Sequence, residues 1–352
     1  MFSNGLTYNL GPMSDSSPPF RWSDLLQNNR VRLIGSLISL AVVVVLIVIA
    51  FQRLSVAELW LAIQQAQGSW IAAAVLILIA GQGLRILRMM QLLRWETVAA
   101  LEPVAQGTML AQVINWISPV RAGDIYRVWH IRQRGPNSWL WVAGSILIEK
   151  SADSLVLAVF ALVLAVSPMP NQSASVAIRL LATAFAGVLA VSAVLALQRG
   201  RWQAAVFKRF PQLQQFAETQ MGPASATFYA ARPGQWLETA GISLGIWVLA
   251  MATNWVLGQA FGLQLNWVTL LTLVIGLQTG AILSTIPGNI GVMPLITLAV
   301  LSTVGVDATL AIAMGSAHYV LVYAINLVVC GFSFGWPWLA RKAQALGRLS
   351  HS

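Results

Sequence analysis

The stretch Trp139-Leu-Trp-Val-Ala-Gly-Ser-Ile-Leu-Ile-Glu-Lys-Ser-Ala-Asp-Ser-Leu-Val-Leu-Ala-Val-Phe-Ala-Leu-Val-Leu-Ala-Val166 reads as one apolar helix with Glu149, Lys150 and Asp153 in its middle. At ~1.5 Å per residue, Glu149 lies roughly 15 Å beyond the Trp139/Trp141 anchor, near the centre of a ~30 Å hydrocarbon core. A charge at that depth costs at least ~2.5–3.5 kcal/mol, and such residues persist where they pair or face a wet cavity. The stretch therefore predicts a membrane protein with a polar interior.

Composition supports this reading. The chain has 352 residues, 57% hydrophobic and 9% charged, against roughly 25% charged in soluble domains. The net charge of +10 comes from 18 Arg and 3 Lys against 11 acidic residues. These bases flank apolar runs, so they orient a membrane protein rather than bind nucleic acid. Arg also binds phosphate bidentately, as Lys cannot. A lone Cys330 and the scattered His130, His318 and His351 argue against a metal site, and no cofactor motif is present.

Apolar runs predict spans at Leu33–Phe51, Trp70–Leu84, Trp139–Val166, Val176–Leu197, Leu237–Phe261 and Ala308–Trp336. Val104–Gly135 and Val268–Val304 are broken by Pro and Gly and read as re-entrant hairpins from opposite faces. Non-helical backbone is tolerated at membrane depth only where it lines protein or a cavity. The expected fold is an all-α integral membrane protein: about six full transmembrane helices plus two broken hairpins. A tail, 1–29, reads as disordered, 30–338 as one membrane domain, and 339–352 as a basic tail. The order span, span, hairpin, span occurs twice, with halves of about 30–167 and 176–338, which suggests an inverted-topology repeat. Arginines after the second, fourth and last spans place both termini in the cytoplasm of a cell (inner) membrane.

Several residues are candidate binding groups. Glu149 and Asp153 share a helix face, and Lys150 can pair with Asp153; they either lock packing or line a polar cavity. Arg121, Asp124 and Arg127 recur every three residues. They form either a phosphate clamp held by Asp124 or a basic loop with local salt bridges. Arg85 and Arg88 read as the cytoplasmic end of a helix, near lipid phosphates and the helix dipole. Pro287-Gly288-Asn289-Ile290-Gly291 either exposes backbone donors to an anion or is a simple turn. His318 fits a buried histidine better than a ligand, and Tyr319 and Tyr323 share a face of the last span.

The motif Asn115-Trp-Ile-Ser-Pro-Val-Arg-Ala-Gly-Asp-Ile-Tyr-Arg127, followed by Glu149-Lys150-x-x-Asp153 and Pro287-Gly288-Asn289-Ile290-Gly291-Val292, resembles the transmembrane, flippase-type domain of the lysylphosphatidylglycerol synthase family. The resemblance runs from about Trp70 to Phe334. It implies a lipid-translocase-like domain without the synthase's soluble aminoacyl-transferase domain. It also brings forward Asn115, Arg121, Asp124, Arg127, Glu149, Asp153 and Asn289. Two departures stand out. A family Glu is replaced by Pro294, and a family Arg falls around His318–Tyr319.

The expected function is translocation or binding of lipids with phosphate-bearing head groups, the partner being an anionic phospholipid or lipid-linked phosphate. The alternatives are a membrane-embedded transferase with Asp124 or Glu149 as base, and a structural or accessory subunit. Single cysteines at Ser173 and Asn266 are expected to react with an impermeant thiol reagent from outside, and one at Gln203 from inside. Reaction of the Ser173 cysteine from the cytoplasmic side alone would refute the topology.

Overall fold

A computed structural model describes residues 56–118, 122–167, 231–283, 287–289 and 291–349. Nine α-helices appear among them: α1 (Val56–Gln64), α2 (Gly68–Leu93), α3 (Leu101–Ile117), α4 (Ala122–Arg134), α5 (Trp139–Val166), α6 (Pro233–Ala260), α7 (Trp267–Leu283), α8 (Val292–Ser302) and α9 (Ala308–Leu349). A 3₁₀ turn, Pro287–Asn289, joins α7 to α8, and no strand occurs among the described residues. The chain is thus an all-α membrane protein. The expected spans Leu33–Phe51 and Val176–Leu197, and Arg121, lie outside the described residues.

Among the described residues, three helical stretches are long and apolar enough to cross a membrane: Gly68–Leu93, Pro233–Ala260 and Ala308–Gly335. The charged α5 matches the length of α6 at 28 residues. The span expected to stop at Leu84 is a correction: α2 runs on to Leu93. Arg85 and Arg88 therefore lie within the helix rather than at its end. The reason is that polar partners on α5 and α6 solvate Arg88 and the α5 carboxylates lie within Coulombic reach of Arg85, so the basic residues do not force the helix to stop.

Two pairs of short helices separate the long ones. Helix α3 has 17 residues and α4 has 13, or ~25 and ~20 Å at ~1.5 Å per residue, short of a ~30 Å core. Glycine sets how closely α3 and α4 meet. The Gly123 N–H donates to Asn115 Oδ1 at 2.9 Å, and a Cβ on Gly123 would come within 1.9 Å of the Ala111 carbonyl oxygen. The second pair turns through positive φ at Gly288 (70°), Asn289 (51°) and Gly291 (79°), a region that glycine and asparagine adopt most readily.

Helices α2 and α6 pack antiparallel along their length. The Gln67 N–H donates to the Ala260 carbonyl at 2.9 Å, and Trp70 meets Trp255 edge-on at 5.7 Å. A Cβ on Gly245 would lie 3.4 Å from Leu84 Cδ1, and Thr239 Oγ1 donates to Gln91 Oε1 at 2.9 Å. Exchanging α2 with α6, α3 with α7, α4 with α8 and α5 with α9 maps packed pairs onto packed pairs. Thus α3–α9 becomes α7–α5, and α5–α6 becomes α9–α2.

The start of α5 is locked to the end of α2. Ser138 caps α5 by accepting from Trp141 N–H at 3.2 Å, while its own N–H and hydroxyl donate to Glu96 at 2.9 and 2.6 Å. Trp141 Nε1 donates to the Leu92 carbonyl at 3.0 Å, and Asn137 Nδ2 to that of Leu93 at 3.0 Å. These bonds fix the register of α5 against α2. Gly123→Ala is expected to destabilise the protein by about 1–3 kcal/mol through overpacking of the hairpin. Gly81→Ala, which adds a Cβ in open space, serves as the neutral control in a thermal unfolding assay in detergent.

Candidate functional site

The α2–α5 register brings a guanidinium opposite two carboxylates. Ser145, Glu149 and Asp153 follow one another at four-residue spacing on one face of α5. Arg88 of α2, 0% exposed, meets that face. Its Nη1 donates to Asp153 Oδ1 at 2.6 Å and its Nη2 to Asp153 Oδ2 at 3.1 Å, a two-toothed pairing suited to the guanidinium fork. The same Nη2 lies 3.2 Å from Glu149 Oε1.

Two further elements complete the cluster. From α6, the Ser243 hydroxyl accepts from Arg88 Nη1 at 2.9 Å, and Trp247 Nε1 donates to Asp153 Oδ1 at 3.1 Å. From α4, Arg127 Nη2 donates to Glu149 Oε2 at 3.0 Å. Glu149 therefore bridges two arginines, one on a long helix and one on the short-helix pair. Buried carboxylates and guanidinium groups in such a site must be paired, because desolvating an isolated ion costs several kcal/mol.

Some polar groups remain open. Among the described residues, Arg88 Nε, Arg127 Nε, Thr108 Oγ1 and Ser145 Oγ are buried without a hydrogen-bond partner. Arg85, one turn before Arg88, lies within Coulombic reach of Asp153, Glu149, Arg88 and Arg127. No carboxylate among the described residues comes within ion-pair distance of it. No group of His, Cys, Asp and Glu able to hold a metal occurs among the described residues.

The structure unites some expected residues and separates others. Glu149, Asp153, Arg88 and Arg127 converge, with Arg85 beside them. Lys150 is exposed, and Arg88 takes the place beside Asp153 that Lys150 was expected to fill. The reason is helical geometry: adjacent residues on α5 point about 100° apart, so Lys150 leaves the face that Glu149 occupies. Asp124 does not hold Arg127. It accepts from Asn115 Nδ2 at 3.3 Å and so braces the α3–α4 turn. Asn289 sits in the α7–α8 turn, whose Gly288 carbonyl accepts from the Tyr323 hydroxyl. His318 is buried in α9, away from the arginine cluster in sequence and element. Around Pro294, a Cβ on Gly315 would lie 2.7 Å from Pro294 Cα, so α8 and α9 meet there through close small-residue packing.

Ser243, Trp247 and Gln91 were not anticipated from the sequence. A signal exists, because Thr239, Ser243 and Trp247 repeat every four residues along α6 and all three are buried. Arg88→Leu is expected to cost about 3–5 kcal/mol, since it removes the guanidinium from buried Glu149 and is the loss of Asp153's only ion pair among the described residues. Lys150→Ala should stay within about 0.5 kcal/mol, as for other exposed positions. Thermal unfolding of both variants in detergent, beside the parent, checks the contrast.

Comparison with known proteins gives the family. No curated protein matches the chain, and no solved structure matches it. Residues 36–330 match the family described as the lysylphosphatidylglycerol synthase TM region. That match covers nearly the whole chain, including α1 through most of α9. The protein belongs to the lysylphosphatidylglycerol synthase transmembrane-region family, whose members are tied to membrane lipids.

Proposed function

We propose that the protein is a lipid translocase that binds phosphate-bearing head groups at the arginine–carboxylate cluster. The observation that carries this reading is the placement of Glu149. It joins Arg88 on a long helix to Arg127 on the α3–α4 pair, so a bound anion competing for either guanidinium would alter how the short pair sits against the long helices. A membrane transporter needs such a link between binding and helix rearrangement.

The packing pattern supports the same reading. If α2 and α6 are counterparts, their antiparallel packing puts the exchanging axis across the helices, in the membrane plane. That is the arrangement of inverted repeats, whose sites lie near mid-depth at the repeat interface. The halves of about 30–167 and 176–338, the re-entrant insertion of α3–α4 and α7–α8, and cytoplasmic termini in a cell (inner) membrane belong to this proposal. In it, Arg127, Arg88 and Arg85 bind phosphate, Glu149 and Asp153 hold the guanidinium groups in place, and Asp124 with Asn115 braces the turn.

The test is transport in vesicles. Reconstituted protein should move head-group phospholipids carrying a fluorophore between leaflets, and lipid recovered afterwards should be chemically unchanged. Glu149→Gln should slow the movement about ten-fold or more by removing a charge-assisted contact from each arginine, at matched protein content and after confirmation of folding. Recovery of a covalently altered lipid would favour a membrane-embedded transferase and overturn the proposal.

A further inference from the structure

A second polar chain runs through the α3–α4 pair, and the arginine–carboxylate cluster does not use it. His130 of α4 is 2% exposed, and both of its ring nitrogens are engaged. Nε2 lies 3.2 Å from Arg134 Nη1, and Nδ1 lies 2.8 Å from the Tyr126 hydroxyl oxygen. A guanidinium offers donors alone, so Nε2 accepts. The proton of the neutral ring therefore sits on Nδ1, facing the tyrosine oxygen.

The chain continues in a fixed direction. Arg134 Nη1 also donates to Gln106 Oε1 of α3 at 2.5 Å. That contact sets the Gln106 amide, whose Nε2 donates to the Ser333 carbonyl of α9 at 3.1 Å and to Glu102 Oε1 at 3.3 Å. Phe334 of α9 meets the His130 ring edge-on at 6.1 Å. Helix α3 closes over the ring, where a Cβ on Gly107 would lie 3.4 Å from His130 Cδ2. The α3–α4 pair is thus tied to α5 through Arg127 and Glu149, and to α9 through this chain.

We propose that His130 is a pH-sensitive latch between the α3–α4 pair and α9. The neutral ring holds Arg134 and Gln106 in line with the Ser333 carbonyl, and the protonated ring releases them. This inference does not depend on lipid translocation. An imidazolium is a donor at both nitrogens, so its Nε2–H would oppose Arg134 Nη1, cation against cation. Arg134 is exposed and withdraws to water, which leaves the Gln106 amide free to turn from Ser333. Histidine changes charge between about pH 5 and 8. The latch is closed above that range and opens as the pH falls through it. Among the described residues, the titratable and charged groups around the ring are Tyr126 and Arg134 on α4, Cys330 on α9 and, behind Gln106, Glu102 on α3. On α5, Glu149 meets α4 at Arg127, where Arg88 of α2 also pairs with it.

The chain's one cysteine reports on the latch. Cys330 is buried in α9, within electrostatic reach of Tyr126 and one turn before Phe334. The experiment follows its reaction with a neutral disulfide reagent, using the full chain in detergent at about pH 7.5 and about pH 5.5. Acid lowers the thiolate fraction in every variant, so the readout is the rate of the parent divided by that of His130→Gln. The glutamine can still accept from Arg134 but does not titrate. This ratio is expected to rise about ten-fold on acidification, as for loss of one hydrogen bond to a charged group. His318→Gln and His351→Gln should keep the parent's acid response, and Arg134→Gln should react faster than the parent at the higher pH. An unchanged ratio overturns the proposal, as does loss of the acid response in His318→Gln or His351→Gln. Equal rates for Arg134→Gln and the parent at the higher pH also overturn it. That last comparison holds even where the unfolding temperature shows His130→Gln to be misfolded.

Discussion

Arg88 is a fully buried guanidinium in an apolar helix, and much of the surrounding architecture answers to it. Its two terminal nitrogens reach Asp153, Glu149 and Ser243, so α2, α5 and α6 must meet at one depth. The cap at Ser138 and the Trp141–Leu92 bond set that depth by tying the start of α5 to the end of α2. Helix α6 arrives by its antiparallel packing on α2. The short pair α3–α4 then enters through Arg127, on the carboxylate oxygen that Arg88 leaves free. Such a network contributes little net stability against an apolar core of equal volume, yet losing one member is costly. Its value lies in specifying which helices meet and where.

Much of this was legible in the sequence. The α5 boundaries, the two broken helix pairs and the charged face of α5 follow from hydropathy, Pro/Gly interruptions and four-residue spacing. The partner of Asp153 was not legible, because the decisive distance lies between residues far apart in the chain. Local spacing favoured Lys150, three residues away, and tertiary packing brought Arg88 instead. The same logic misled the reading of Arg85 and Arg88 as a helix end. Basic residues near the edge of an apolar run signal a membrane boundary only when nothing inside the protein solvates them. Asp124 was similarly assigned to the arginines on its own helix, whereas the turn from α3 offered it the Asn115 amide.

The helix sets α2–α5 and α6–α9 share order and packing but not the buried ion pairs. At the distance from its helix start where α5 carries Glu149, α9 carries His318. Around Pro294, α8 and α9 close on Gly315 with no room for a side chain. Aromatic packing dominates instead, with Tyr323 stacked between Trp116 of α3 and Tyr319 at 4.0 and 4.2 Å. One half thus holds its short helices through ion pairs and the other through aromatic and small-residue contacts. Charged ligands perturb the first kind of contact far more than the second, so under the proposed function an anion would act mainly on the α2–α5 set.

The burial of Arg88 also bears on how the chain enters the membrane. Asp153 is synthesised 65 residues after Arg88, and Ser243 155 residues after it. When α2 first leaves the ribosome, Asp153 and Ser243 have not been made, and an unpaired arginine within a span opposes insertion by up to ~2.5–3.5 kcal/mol. Nascent α2 is expected to keep the Arg85–Leu93 portion near the lipid head groups, where long basic side chains can snorkel. It reaches its final depth when α5 delivers the carboxylates. Biogenesis is therefore ordered by electrostatics. The second helix waits for a later one, and a ribosome-bound chain truncated before Glu149 would hold α2 in a shallower position than the finished protein does.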